Sequence, residues 1–257
     1  MVVIGIISAK GGVGKTTVTS NLASALVKFF GKRVLAVDGN ITTPNLGIHF
    51  GMLNQENTLT EVLDNKIDIT QAIYVHPSGV HIIPASLNAR IEYPDISKLK
   101  EKIDKIKDNY DFVLIDGAAG IGKEVVSTIK DSDQIILVST PDNVSLISAL
   151  KAKKIVHALN VSLRGLVLNK VEGNKNEMKI EEVEELKVAR IIGYIPYDKK
   201  VIESVSKMTP VVLLDEEAKA SKAFKKLAAE ISGEFYSEKE TIWKKIKRLF
   251  SFIRRWN

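Results

Sequence analysis

The sequence predicts an α/β fold, a doubly wound and mainly parallel sheet flanked by helices, with an amphipathic helix appended at the C-terminal end. Three observations carry this expectation. Short apolar runs rich in Val and Ile recur along the chain without polar alternation, as strands buried on both faces require. Segments with apolar residues at helical spacing lie between most of these runs, and such alternation implies right-handed crossovers within one parallel sheet. At 257 residues the chain is also long enough for one large domain with a sizeable core.

The first strand is expected over residues 2–7, an unbroken apolar run but for Gly5. The first helix follows over Lys15–Phe30, with Gly31 placed as its left-handed C′ residue. Further strands are expected over residues 33–37, 80–84, 112–115, 134–139, 163–168 and 191–195. Helical spacing marks residues 96–108, 123–130, 144–159, 180–186, 199–207 and 216–232. Residues 40–71 and 171–179, dominated by turn and polar residues, give the weakest signal.

Composition excludes several classes of function. With no cysteine there is no disulfide, no thiolate nucleophile and no cysteine-ligated zinc or iron–sulfur cluster. No apolar run reaches the roughly 18 residues of a membrane-spanning helix. The start, MVVIGIISAK, has neither a basic segment nor a small-residue cleavage site, which argues against export and for a cytoplasmic setting. Residues 241–257 carry Lys244, Lys245, Lys247, Arg248, Arg254 and Arg255 and no acid, a charge of +6 that equals that of the whole chain. Residues 1–240 hold 31 basic and 31 acidic side chains, so the basicity belongs to the tail and not to a nucleic-acid-binding face of the body.

The run Ser8-Ala9-Lys10-Gly11-Gly12-Val13-Gly14-Lys15-Thr16-Thr17 follows the first strand and opens the first helix. Glycines there let successive N–H groups converge on phosphate oxygens at a helix N-terminus. Lys15 is placed to neutralise the β- and γ-phosphates, and the Thr16 hydroxyl to coordinate Mg²⁺. Asp38 and Asp116 each close a strand, at the end of the sheet where ligands of open α/β folds bind. Asp116, after an apolar run, has the position of a second Mg²⁺-holding group. ATP and Mg²⁺ are therefore the expected cofactors.

The form KGGVGKTT resembles the deviant Walker A motif of the MinD/ParA ATPases, P-loop NTPases of Rossmann-like fold. Here Ala9 stands where the common P-loop pattern has its first glycine. The resemblance implies that Gly11, Gly12, Val13, Gly14, Lys15, Thr16 and Thr17 bind nucleotide. It also implies that Lys10 reaches across an ATP-bound homodimer to the partner's phosphates, and that Asp38 belongs to the catalytic set. The family commonly has a second aspartate two residues later to orient the attacking water, but this chain has Asn40. An amide accepts a hydrogen bond yet supplies no negative charge, so slow hydrolysis is expected. Residues 40–47 resemble the first switch, and Asp116-Gly117-Ala118-Ala119-Gly120 the second, with Ala118 in place of a common proline. By the same resemblance Asn169 recognises the adenine edge, and Pro196 and Asp198 flank the base. The likeness covers residues 1–232.

The chain is expected to divide into an ATPase domain, residues 1–236, and a basic amphipathic tail, residues 237–257. Ile242, Ile246, Leu249, Ile253 and Trp256 recur at helical steps of three and four, with Trp243 and Phe250 beside them. Both tryptophans of the protein lie here. A basic helix with bulky apolar residues suits an anionic membrane surface. A helix packed on its own domain, or one bound by a partner protein, fits the same pattern. The MinD branch similarly ends in a membrane-targeting helix. The expected function is that of a MinD-like ATPase, peripheral on the inner face of the cell membrane, which positions division or other spatially organised machinery. A ParA-like DNA-segregation ATPase and a nucleotide-dependent scaffold with little turnover stand as alternatives. Nucleic acid is disfavoured by the neutral body, and the regulatory partner is left open.

Overall fold

The computed structural model describes residues 1–88 and 90–236. The membrane-facing residues expected in the tail, Ile242, Trp243, Ile246, Leu249, Phe250, Ile253 and Trp256, lie outside the described residues. From the N-terminus run β1 (Val2–Ser8), α1 (Lys15–Phe30), β2 (Val34–Asp38), α2 (Leu46–His49), α3 (Leu59–Leu63), β3 (Tyr74–Val75), β4 (His81–Ile83), α4 (Leu99–Asp104) and β5 (Phe112–Ala119). There follow α5 (Lys123–Lys130), β6 (Gln134–Ser139), α6 (Asn143–Ala158), β7 (Ser162–Val171), α7 (Ile180–Glu185), β8 (Ile191–Pro196), α8 (Lys199–Ser206), α9 (Val211–Leu214) and α10 (Lys219–Ser232).

The strands form one sheet in the order β3-β4-β2-β5-β1-β6-β7-β8. All pairings are parallel except the antiparallel pair β3 and β4. The order turns around β1: the chain builds outward on one side through β5 and β2, and on the other through β6 to β8. That switch point, at the carboxyl ends of the strands, is where the loop after β1 emerges.

Side chains of β1 alternate between layers, as a period of two demands. Ile4 and Ile6 pack with Val18, Leu22 and Leu26 of α1 and with Phe224 and Leu227 of α10. Val3 faces the opposite layer with Leu35, Val37 and Ile103. Ile7 joins Val125, Leu146 and Leu166 there. Fully burying each Leu or Ile contributes about 1.5–3 kcal/mol, which fixes α1 and its leading loop against the sheet.

Most strand and helix positions match the sequence expectation within two residues or so. Residues 96–108 depart from it: one helix is expected, but a 3₁₀ turn at Ile96–Lys98, the short α4 and a second 3₁₀ turn at Lys107–Asn109 occur. Ile96, Leu99, Ile103 and Ile106 are nevertheless all buried, so the apolar spacing survives the breaks. β5 runs on past residue 115 to Ala119, because Ala119 still pairs with Ser8. The weakly patterned residues 40–71 contain α2 and α3.

Candidate functional site

The loop between β1 and α1 turns through left-handed backbone at Gly12 (φ 78°) and Gly14 (φ 90°). Gly14 is the N-cap of α1, and no side chain caps this helix or places an acid in its first turn. By contrast, α3, α6 and α8 are capped by the side chains of Thr58, Asp142 and Asp198. The first-turn N–H groups of a 16-residue helix are thus left without a capping side chain, under an open cavity of about 590 Å³. The helix dipole and these donors favour an anion there. A Cβ added at Gly11 or Gly12 would meet nothing within 4 Å, so the ligand side of the loop is open. On the other side a Cβ at Gly14 would lie 2.2 Å from the Asn169 amide nitrogen.

Two carboxylates converge behind the loop. Asp38 and Asp116 are register neighbours on β2 and β5, and both are fully buried. Thr16 Oγ1 donates to Asp116 Oδ2 at 2.6 Å, and Thr19 Oγ1 lies 3.1 Å from Asp116 Oδ1. Asp38 accepts from the backbone N–H groups of Leu46 (2.9 Å), Asn45 (3.1 Å) and Asn40 (3.3 Å), so it anchors the loop that follows β2. Burial pushes the Asp38 carboxyl upward, and the charge of Asp116 adds to the shift. Burial also raises Asp116, against the opposing pull of Lys15. A divalent cation beside Thr16 and Asp116 relieves both penalties by lying next to the buried negative charge.

Among the described residues no group of three or more His, Cys, Asp or Glu could hold a metal ion by itself. A cation here therefore needs phosphate oxygens and water to complete its shell, the habit of Mg²⁺ at nucleotide sites. The fit is good: Thr16 and Asp116 would hold the ion, and the ion would supply charge neutralisation at the phosphates. Lys15, only 8% exposed, lines the same cavity.

The other expected residues are placed as follows. Asn40 lines the cavity, but its amide is engaged: Nδ2 donates to the Thr43 carbonyl at 2.7 Å, and Oδ1 accepts from Thr43 Oγ1 at 3.1 Å. Lys10 turns toward α6, where its Nζ lies 3.3 Å from Ser145 Oγ and 3.8 Å from Asp142. Asn169 is buried and donates to the Val13 carbonyl at 2.7 Å, bracing the phosphate loop from beneath. Asp198 accepts from the N–H groups of Lys200 (2.9 Å) and Ala220 (3.1 Å), capping α8 and holding the start of α10. Pro196 ends β8 just before it. The turn they form delivers Val201, Ile202 and Val205 of α8 to the cavity wall.

The sequence motifs do not mark Val201, Ile202 and Val205 as cavity residues, nor Lys170 and His49. Lys170, in left-handed backbone (φ 58°), donates from Nζ to the Gly12 carbonyl at 2.7 Å. Its position directly after Asn169, near the carboxyl end of β7, is a usable signal. His49 lines the cavity with its Nδ1 3.3 Å from Ser20 Oγ, and burial lowers its pKa to about 4. Nothing local to the sequence marks that role. Among the described residues no helix is long and apolar enough to cross a membrane.

An uncapped helix beginning at the switch point of a parallel sheet, with a lysine and a threonine in its first turn, places this chain in the P-loop nucleotide-binding class. Comparison with known proteins narrows the class. Residues 4–211 match the model of the CobQ/CobB/MinD/ParA nucleotide binding domain. An ATP-binding protein of Methanocaldococcus jannaschii is 38% identical over 257 residues, covering 96% of this chain and 97% of that one. The cell division ATPase MinD of Pyrococcus furiosus superposes with a TM-score of 0.85 at 34% identity, covering 90% of this chain and 98% of that one. MinD of Pyrococcus horikoshii, solved with Mg-ADP, gives a TM-score of 0.84 at 32% identity, covering 94% and 98%. The chain belongs to the CobQ/CobB/MinD/ParA family and is a MinD-like member of it.

Proposed function

We propose that this protein is a nucleotide-switched ATPase that binds ATP and Mg²⁺, dimerises face to face, and attaches reversibly to an anionic membrane surface to position other proteins. The observation that carries the reading is the contact of Thr16 with buried Asp116 beneath the uncapped start of α1. It supports a nucleotide site and a cation site in one place. In this reading Gly11 to Thr17 cradle the phosphates, Lys15 neutralises them, and Asn169 with the Pro196–Asp198 turn borders the base.

The sheet end that carries the cavity also exposes Ile121, Val144, Ile147 and Ile202, apolar residues that a second copy would cover. Lys10, 46% exposed at its side chain, stands on the same end and would enter the partner's site. The tail, residues 237–257, would bring one weak lipid-binding helix per protomer. Two on one dimer bind by avidity, so nucleotide state would gate attachment. Residues 1–236 would then act as the switch and the tail as its output, at the inner face of the cell membrane.

A second reading keeps the switch but removes most turnover. It is favoured by Asn40, whose amide is occupied by Thr43 and carries no charge to orient water.

Sedimentation velocity with ATP·Mg²⁺ tests the dimer. The wild-type protein is expected to shift to a dimer, and Lys10→Ala to stay monomeric while binding nucleotide with similar affinity. A Lys10→Ala variant that dimerises normally would remove Lys10 from the mechanism. Steady-state phosphate release separates the two readings.

A further inference from the structure

β8 is an edge strand of the sheet, and α10 lies along it. Between them runs an open groove of about 510 Å³ with an apolar floor that includes Ile191, Pro196, Ala223 and Leu227. Lys219, Lys222 and Lys226 of α10 supply its charge, and no carboxylate lines it. Lys219 and Lys226 are exposed, and Lys222 pairs at 2.7 Å with Glu217 outside the lining. An apolar floor under a cationic rim is the chemistry that receives an anionic amphiphile.

The place where the described chain ends identifies which one. α10 stops at Gly233 in left-handed backbone, and Phe235 beyond it is 92% exposed. Phe235 and Tyr236 share a second hollow with Arg164 and Lys226, so the lysine groove adjoins the root of the tail. Ile242 is six residues past Tyr236, which spans at most about 21 Å even fully extended. A tail lying on lipid therefore holds the C-terminal end of α10 close to the same surface. The tail itself is an unsuitable occupant, because six cations of its sequence would have to be brought to three more in the groove.

We propose that the β8–α10 groove is a second lipid contact, in which Lys219, Lys222 and Lys226 bind anionic phospholipid headgroups and fix the orientation of the domain on the membrane. This rests on the membrane attachment proposed above. The test is partitioning of the full-length protein, in ATP·Mg²⁺, onto vesicles of phosphatidylcholine with and without phosphatidylglycerol. The triple variant Lys219→Gln, Lys222→Gln, Lys226→Gln is expected to bind phosphatidylglycerol vesicles about a hundredfold more weakly, from the usual contribution of each basic residue near an anionic surface. Its dimerisation and nucleotide binding stay at the wild-type level. A control that neutralises exposed Lys98, Lys100 and Lys105, around α4 on the opposite face of the sheet, keeps wild-type partitioning. If wild type binds and the triple variant binds equally, the groove contact is overturned while tail attachment stands, and an acidic peptide becomes the better occupant. Equal losses in the triple variant and the control also overturn it, since net charge alone would then account for the effect. If wild type binds no vesicles, the attachment itself fails, and this contact with it.

Discussion

The Thr16 hydroxyl and the Asp116 carboxylate meet at 2.6 Å, joining the first turn of α1 to the end of β5. The two residues are 100 positions apart in sequence, and only the parallel packing of β1 beside β5 brings them together.

Removing that hydroxyl is expected to weaken Mg²⁺-dependent nucleotide binding. A hydrogen bond to a charged group contributes about 1.5–3 kcal/mol, so Thr16→Val should lose roughly ten- to a hundredfold in ATP affinity with Mg²⁺ present. In EDTA the loss should be small. Isothermal titration in both buffers checks this, and equal losses would show that Thr16 acts on the loop and not on the cation.

Two glycines of the loop separate folding from binding. Gly14→Ala places a Cβ 2.2 Å from the Asn169 amide in backbone at φ 90°, and is expected to destabilise the protein by a few kcal/mol. Gly11→Ala has no neighbour within 4 Å and should melt like wild type, yet obstruct the phosphates and weaken nucleotide binding. Thermal melts with nucleotide titrations on both variants decide this. Normal nucleotide affinity in Gly11→Ala would place the phosphates elsewhere.

Asn40→Asp is expected to raise phosphate release while loosening its loop. The carboxylate restores negative charge at the cavity, but it loses the donor that reaches the Thr43 carbonyl at 2.7 Å. That loss should cost about 1 kcal/mol in stability. An unchanged or lower release rate would show that Asn40 does not limit turnover.

His49 makes stability depend on pH. Burial lowers its pKa from the ordinary 6.5 to about 4, so the unfolded chain takes up the proton first as pH falls. The stabilisation is complete above pH 6.5 and is lost as pH drops from 6.5 toward 4, by up to about 3 kcal/mol. Denaturant titrations at several pH values should show a shallower acid slope for His49→Leu. Identical slopes would exclude His49 as the source.

The sequence made the phosphate loop and the buried strands visible because their signals are local. Gly12 and Gly14 occupy left-handed backbone, and strands such as β6 are continuous apolar runs. β3 was not visible, since two residues are too few for any period to show. α3 carries a readable local signature, the capping box formed by Thr58 and Glu61. Lys170 and His49 act through contacts with Gly12 and Ser20, distant in sequence, so their roles emerge only when the sheet is assembled. The resemblance places Asp198 beside the base, and the fold adds a structural task that the motif does not reveal: its carboxylate caps α8 and accepts from the Ala220 N–H of α10.

The decisive comparison is co-sedimentation of the full-length protein with anionic liposomes in ATP·Mg²⁺ and in ADP. Pelleting with ATP and little with ADP is expected if phosphate loop, dimer and tail form one switch. Equal pelleting in both states, or none in either, would contradict nucleotide-gated attachment.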